Sequence, residues 1–424
     1  MIARKYILAL FAIFARKPDR ASLARHHQFE MRLARQQALA ARALRASANA
    51  ILRCAARCAW PRRRPNPIDA KRVCIYRIGN IGDTACAILA MYAIRRAYRG
   101  AHLTIVTSPG KAGSVGAREL LEGVSWIDEI IVYHAEDIAT ARGRLELVRN
   151  LRARRFDVWI ELPVVAAPLA TLFRNLMVAR SAGVRWGFGW RYEPRFAAPA
   201  QTLANNFPDE VDRLLEIVRA AGFAGDDAEF PLELSESNRR TVNELLDDAG
   251  VASSDLMIAF APGAKLEPNR WPVDRFIEVG SSLAARGYRI VVLGGSSDVP
   301  MCERIAKAIG RNAGSLAGKI TIRDSCEVLA RCAMLVCNDS GVQHLAAAVG
   351  TPCVSLFTRR EFPGMWWPHG PQHEVLMKDV ECHTCFLDAC PYDNKCIKAI
   401  GVDEVIAAAA RVLARHPDSK PQVA

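Results

Sequence analysis

The first 78 residues of this 424-residue chain contain no glycine, and between Pro18 and Pro61 there is no proline either. Nothing there interrupts a helix, so LARHHQFEMRLARQQALAARALRASANAILRCAARCAW is expected to run as one long helix rich in Ala, Leu, Arg and Gln. Acids are scarce in the same region: residues 1–70 hold 15 Lys and Arg against 3 Asp and Glu. A long apolar run is also missing. YILALFAIFA, residues 6–15, is ten residues long, whereas a membrane span needs about 20. No small-residue cleavage site follows it, only Arg16, Lys17 and Pro18, which speaks against an export signal and predicts an uncleaved cytoplasmic chain. The whole sequence lacks a D-x-D motif for a catalytic divalent ion, and its glycine-rich loops are neither G-x-G-x-x-G nor a P-loop with Gly-Lys-Ser/Thr.

What is present describes a globular protein of about two domains, with 51% hydrophobic and 24% charged residues. The formal charge is +13, and residues 1–70 account for +12 of it. An apolar patch followed by a cationic helix fits attachment to an anionic membrane surface. A flexible, partner-binding extension is the plainer alternative. A nucleic-acid arm would interleave aromatic residues with its arginines, and between Phe29 and Trp60 there are none.

From residue 71 short β-branched runs alternate with helical stretches, the pattern of parallel sheets built from βαβ units. VCIYRI (73–78), HLTIVT (102–107), SWIDEIIVY (125–133) and FDVWIEL (156–162) are the expected strands of one half. Residues 181–208 read as loops with an edge strand, followed by a helix at 209–221. LMIAFAP (256–262), YRIVVLGG (288–295), AMLVCN (333–338) and PCVSLF (352–357) are the strands of the other half. Residues 1–70 are thus an extension, 71–230 a first Rossmann-like domain and 231–424 a second, facing each other across a cleft. In such sheets ligands bind beyond the carboxyl ends of the strands.

The loops at those ends carry the chemistry. The first is Gly79-Asn80-Ile81-Gly82-Asp83-Thr84, whose glycines allow a tight turn and whose acid falls at a helix start, as a cap or as a reactive carboxylate. In the second half, Pro262-Gly263-Ala264 offers backbone amides while Lys265 and Arg270 offer cations, a combination suited to pyrophosphate. Asp298, after Gly294-Gly295, can cap a helix or hold a ribose or base. In NDSGVQHLAAAVGTP, Asp339, Ser340 and Gly341 lie where helix amides are unpaired, and His344 is one turn from Ser340.

Taken together and in this order, RIGNIGDTACAILAMYAIRRAY, APGAKLEPNRWPVDRFIEVGSSLAARG, VVLGGSSD and SLAGKITIRDSCEVLARCAMLVCNDSGVQHLAAAVGTPCVSLF resemble glycosyltransferase family 9, the ADP-heptose:lipopolysaccharide heptosyltransferases. The resemblance covers residues 71–415. It implies a GT-B fold, an ADP-sugar donor held mainly by the second domain, a lipopolysaccharide core acceptor held mainly by the first, and inversion at the anomeric carbon without a metal. By the same resemblance Asp83 is the general base, and Asp339, Ser340, Gly341 and His344 surround the donor phosphates. Asp298 then contacts the nucleoside, and Gly263 and Ala264 form the phosphate-facing loop. Asn269 stands where the family commonly has lysine, so Arg270 or Lys265 must supply the cation. Phe357 is followed by Thr358-Arg359-Arg360 rather than the family's glycine. These departures leave open a catalytically silent nucleotide-sugar-binding scaffold.

Thirteen cysteines are present, nine of them expected to be ordinary buried thiols in a reducing compartment. Cys382, Cys385, Cys390 and Cys396 form a C-x2-C-x4-C-x5-C series suited to a structural zinc, with free or partly paired thiols, or an iron–sulfur cluster, as the alternatives. A zinc knuckle beside a basic N-terminus would also suit a nucleic-acid-binding protein. The near-neutral remainder of the chain argues against nucleic acid.

Overall fold

The computed structural model describes residues 44–60, 69–193, 207–224, 229–252, 255–382 and 384–415. The apolar run 6–15 and most of the expected long helix lie outside the described residues. The helix is seen over residues 44–59, here α1, and it stops before Pro61.

The first half is a five-stranded sheet of order β3-β2-β1-β4-β5 with every pairing parallel. Its strands are β1 (Arg72–Tyr76), β2 (His102–Thr107), β3 (Glu129–Val132), β4 (Val158–Glu161) and β5 (Trp186–Phe188). The connections are α2 (Ile81–Ala97), α3 (Ala117–Leu121), α4 (Ala141–Ala153) and α5 (Leu169–Ser181), and α6 (Glu210–Ala220) follows the sheet. The second half is a six-stranded parallel sheet of order β11-β10-β9-β6-β7-β8. It uses β6 (Met257–Ala261), β7 (Arg289–Val292), β8 (Ala313–Ser315), β9 (Cys332–Asn338), β10 (Cys353–Phe357) and β11 (Glu374–Met377). Around it lie α7 (Glu236–Asp248), α8 (Val273–Ala284), α9 (Val299–Ile309), α10 (Ile322–Ala330), α11 (Gly341–Ala348), α12 (Lys395–Lys398) and α13 (Val402–Arg415).

The central strands read as continuous apolar runs because helices cover both faces of each sheet. MIAFA of β6 and CVSLF of β10 are buried at every position. The expected strand at 125–133 shortens to β3, because Trp126 turns away and gives its indole N–H to Pro231 O at 2.9 Å. The short edge strands β8 and β11 carry no run long enough to announce themselves.

Three apolar clusters hold the molecule. One face of the first sheet packs on α2 and α6, and this cluster continues through Val242, Leu246 and Leu345 into one face of the second sheet. The second sheet's other face packs on α8, α9 and α13. The first sheet's other face is covered by α4, α5 and the end of α1, with Leu52 and Trp60 inside. Trp60 stacks on Trp190 with centroids 5.2 Å apart and donates its indole N–H to Val184 O at 2.7 Å. Asn49 and Tyr192 exchange hydrogen bonds of 2.9 and 2.8 Å. Residues 44–60 are therefore a layer of the first half, not a loose appendage. Two of the nine cysteines expected to be buried, Cys54 and Cys58, are exposed, because they lie on the outer side of α1.

Candidate active site

β1 delivers Arg77 and then the loop Ile78-Gly79-Asn80. Gly79 has φ +150°, and a Cβ there would fall 2.3 Å from Asp83 Cβ, so this position has room for glycine alone. Asp83 folds back over its own helix start, accepting the Asn80 N–H on Oδ2 at 3.0 Å. The Thr84 hydroxyl donates to Asn80 O at 3.0 Å. Asp83 Oδ1 faces the Arg77 guanidinium at 3.5 Å. Arg77 is itself buried and donates to Glu210 Oε1 at 3.0 Å, while Arg213 holds the other oxygen of Glu210 at 2.6 Å. Burial pushes the Asp83 carboxyl above the ordinary carboxylate range and Glu210 adds to the rise, against the pull of Arg77 and the Asn80 N–H. Cap and raised carboxylate are thus the same group. A base kept on a short leash and shifted toward neutrality is what proton abstraction asks for.

Across from it, the ends of β6, β7, β9 and β10 gather the second set of residues. Asn338 is fully buried, donating to Pro262 O at 2.6 Å and accepting the Trp271 N–H at 3.1 Å, which fixes the β6 loop. Asp298 accepts the Gly295 N–H at 3.1 Å. It lies so close to Gly263 that a Cβ there would meet its carboxylate at 2.6 Å. Arg270 gives Nε to Ala264 O at 2.9 Å, its guanidinium 3.9 Å from Asp298. Lys265 and Arg270 are both exposed. Asp339 is held by Asn269 at 3.0 Å and by Gln343 at 3.4 Å. Burial, with Glu361 nearby, pushes its pKa up to about 7 against Arg360 and Gln343. Ser340 is the N-cap of α11, its hydroxyl donating to Asn338 O at 3.3 Å, so the helix amides are left without a side-chain cap.

The two loops meet. A Cβ on Gly82 would lie 3.1 Å from Gly341 Cα and 3.2 Å from His344 Cδ2, so the starts of α2 and α11 abut with only glycine between them. His344 Nδ1 is 3.3 Å from Cys86 Sγ, one turn into α2. Burial lowers the His344 pKa to about 4 despite Asp209 and Glu210, and burial raises the Cys86 thiol, so this contact joins two uncharged groups. His369 Nδ1 and Asp209 Oδ2, 2.9 Å apart, make a second bridge between the halves.

Beside the Asp83 loop is a cavity of about 310 Å³ lined by Pro109, Ser114, Gly116, Arg118, Val132 and His134. A Cβ on Gly116 would be 3.5 Å from Gly79 O, which places the cavity against the same loop.

Cys382, Cys385, Cys390 and Cys396 fall in the segment after β11, each free and half-buried. Burial, then the neighbouring thiols, raise the pKa of Cys382; burial likewise raises that of Cys385. Among the described residues, the one group of three potential ligands with atoms within 4.8 Å of one another is Asp209, Asp212 and His369, not the cysteines. The segment is tied to the β10 exit: Arg360 donates to Leu387 O at 2.7 Å and pairs with Asp388 at 2.9 Å.

Gly82, Gly341 and His344 thus meet at one seam, with Asp83 next to Gly82 on the same loop. Missed were Arg77, Glu210, Gln343, Thr358 and Cys86. Arg77 left a trace, a cation just after the apolar run VCIY; the others come from helices or loops with no spacing rule.

Two parallel α/β sheets joined at their carboxyl ends, with an acid-capped glycine loop set against an open helix start, define the GT-B class of two-domain glycosyltransferases. The chain belongs to glycosyltransferase family 9 (heptosyltransferase), whose profile matches residues 144–396. Among curated relatives it is 34% identical over 250 residues to lipooligosaccharide heptosyltransferase 2 of Haemophilus influenzae, covering 56% of this chain and 67% of that one. It is 28% identical over 230 residues to lipopolysaccharide heptosyltransferase 2 of Escherichia coli K12, covering 50% of this chain and 63% of the relative's length. Among solved structures it superimposes on a family 9 glycosyl transferase from Veillonella parvula with TM-score 0.66 and 21% identity, over 81% of this chain and 98% of that one. It superimposes on E. coli ADP-heptose lps heptosyltransferase II with TM-score 0.60 and 22% identity, over 82% and 99%. The structural likenesses bear on the fold.

Proposed function

We propose that this chain moves a heptose or related sugar from an ADP-sugar to a lipopolysaccharide core acceptor, with inversion and without a catalytic metal, at the inner-membrane surface. The observation that carries the reading is the placement of Asp83, raised toward neutrality and held by Arg77, beside the open start of α11. Asp83 takes the proton of the acceptor hydroxyl as its oxygen attacks the anomeric carbon. The bond from that carbon to the diphosphate breaks, and the diphosphate leaves with the electron pair. The α11 amides, the 263–264 amides, Lys265 and Arg270 receive the charge that develops there. Neutral His344 serves by packing and by its hydrogen-bonding nitrogens rather than by charge. The cavity at Gly116 suits one end of the acceptor. Purified protein incubated with ADP-heptose and a core acceptor should yield the transferred product with inverted anomeric configuration, and should do so in EDTA. No product would leave the silent scaffold as the better reading.

The four cysteines suit a structural zinc as an all-thiol donor set. Thr384, Phe386, Asp393 and Asn394, four of the six non-glycine residues with positive φ among the described residues, lie in this segment. Such strain persists where something further clamps the chain. Zinc would cross-link the segment that holds Arg360, and elemental analysis should find about one metal per chain, lost in a Cys390→Ser variant.

A further inference from the structure

We infer that the outer face of the first half, formed by α1, α4 and α5, is a docking surface for anionic lipid headgroups, independent of the basic residues that precede it. The inference rests on the membrane-surface reading and assigns it to a folded face. Residues 44–59, 141–155 and 169–181 hold eleven arginines and a single acid, Glu146. The formal charge outside residues 1–70 is therefore near zero in sum but strongly segregated in space. These segments cover the same side of the first sheet. Arg53, Arg57, Arg149, Arg152 and Arg180 have no carboxylate within 4 Å among the described residues, although Arg142 pairs with Glu146 and Arg154 with Glu129.

The apolar residues point to lipid. Six large hydrophobic side chains are exposed among the described residues, and four of them, Leu44, Ile51, Leu145 and Met177, stand on these three helices between the arginines. Aliphatic side chains inside a cationic field suit the boundary between headgroup and acyl chain. A nucleic-acid surface would offer aromatic platforms, and no large aromatic side chain is exposed on this face among the described residues. Docking here would set the first half, with the cavity beside Asp83, against the membrane in which a lipid-linked acceptor resides.

The test uses the full chain and vesicles of phosphatidylcholine with or without phosphatidylglycerol. A triple variant, R53Q/R149Q/R152Q, is compared with a control of equal charge on the second half, R286Q/K307Q/K319Q. A second triple, R57Q/R144Q/R180Q, repeats the test on the same face, and thermal melting checks that each variant is folded. The face variants should bind anionic vesicles at least about tenfold more weakly than wild type, with the control close to wild type. Equal weakening in the control would show that net charge alone acts and would overturn the proposal. Wild-type binding by the face variants would also overturn it, leaving attachment to residues 1–43. If wild type ignores anionic vesicles, the membrane reading itself fails. Selective loss of binding to single-stranded RNA, with vesicle binding intact, would give the surface to nucleic acid and refute the lipid assignment.

Discussion

Asn269 donates its side-chain amide to Asp339 at 3.0 Å and accepts the Thr358 hydroxyl at 3.1 Å, so the acid nearest the start of α11 has a neutral partner. Burial, with Glu361 nearby, pushes the Asp339 pKa up to about 7. Ionised Asp339 repels a diphosphate and protonated Asp339 does not. Donor KM should therefore rise as pH increases through about 7. Linkage has the same sign: a carboxyl raised by folding loses its stabilising contribution as pH rises through its folded pKa. Asn269→Lys should pair with Asp339, pull its pKa down and flatten the pH dependence of donor KM; an unchanged profile would remove Asp339 from the donor site.

Asp83→Asn keeps the size of the cap but cannot take a proton. Transfer should fall by at least about 10²-fold with donor KM little changed. In wild type the base must be ionised, so kcat/KM should drop as pH falls through a pKa above the ordinary aspartate range. An acid limb at the usual aspartate value would assign the base elsewhere.

Gly82→Ala puts a methyl group 3.1 Å from Gly341 Cα and 3.2 Å from His344. Neither neighbour is the free end of a flexible chain, so the halves must shift by a few tenths of an ångström. kcat/KM should fall at least about tenfold, the size of a small misplacement of reacting groups, while the melting temperature moves little. Calorimetry and steady-state rates on the same sample separate the two effects.

Trp60→Ala removes the stack on Trp190 and leaves Val184 O without its indole partner. The loss should be about 3 kcal/mol or more, as for other buried tryptophans, measured by urea denaturation. A loss of no more than a few tenths of a kcal/mol would mean that the Trp60 anchor is dispensable to the first half.

Much of the fold was legible because parallel strands buried on both faces leave runs such as MIAFA and CVSLF, and turn glycines punctuate them. β8 and β11 escaped notice, being short edge strands. The glycine loops and the NDSG helix start were legible as strand ends. What spacing could not give was pairing across the chain. Nothing in the sequence around Arg77 names Glu210, and nothing around Cys86 names His344, because those contacts exist only once two halves have packed. The basic N-terminal segment misled in one respect: composition marked residues 44–60 as surface, while Leu52 and Trp60 fold them into a core.

The apolar cluster that runs from Ile75 and Leu103 through Val242, Leu246 and Leu345 into the second sheet belongs to neither half alone. Melting either half would strip the other of its cover and expose that cluster to water. The shared interior thus predicts a single cooperative melting transition for both halves, which calorimetry would read.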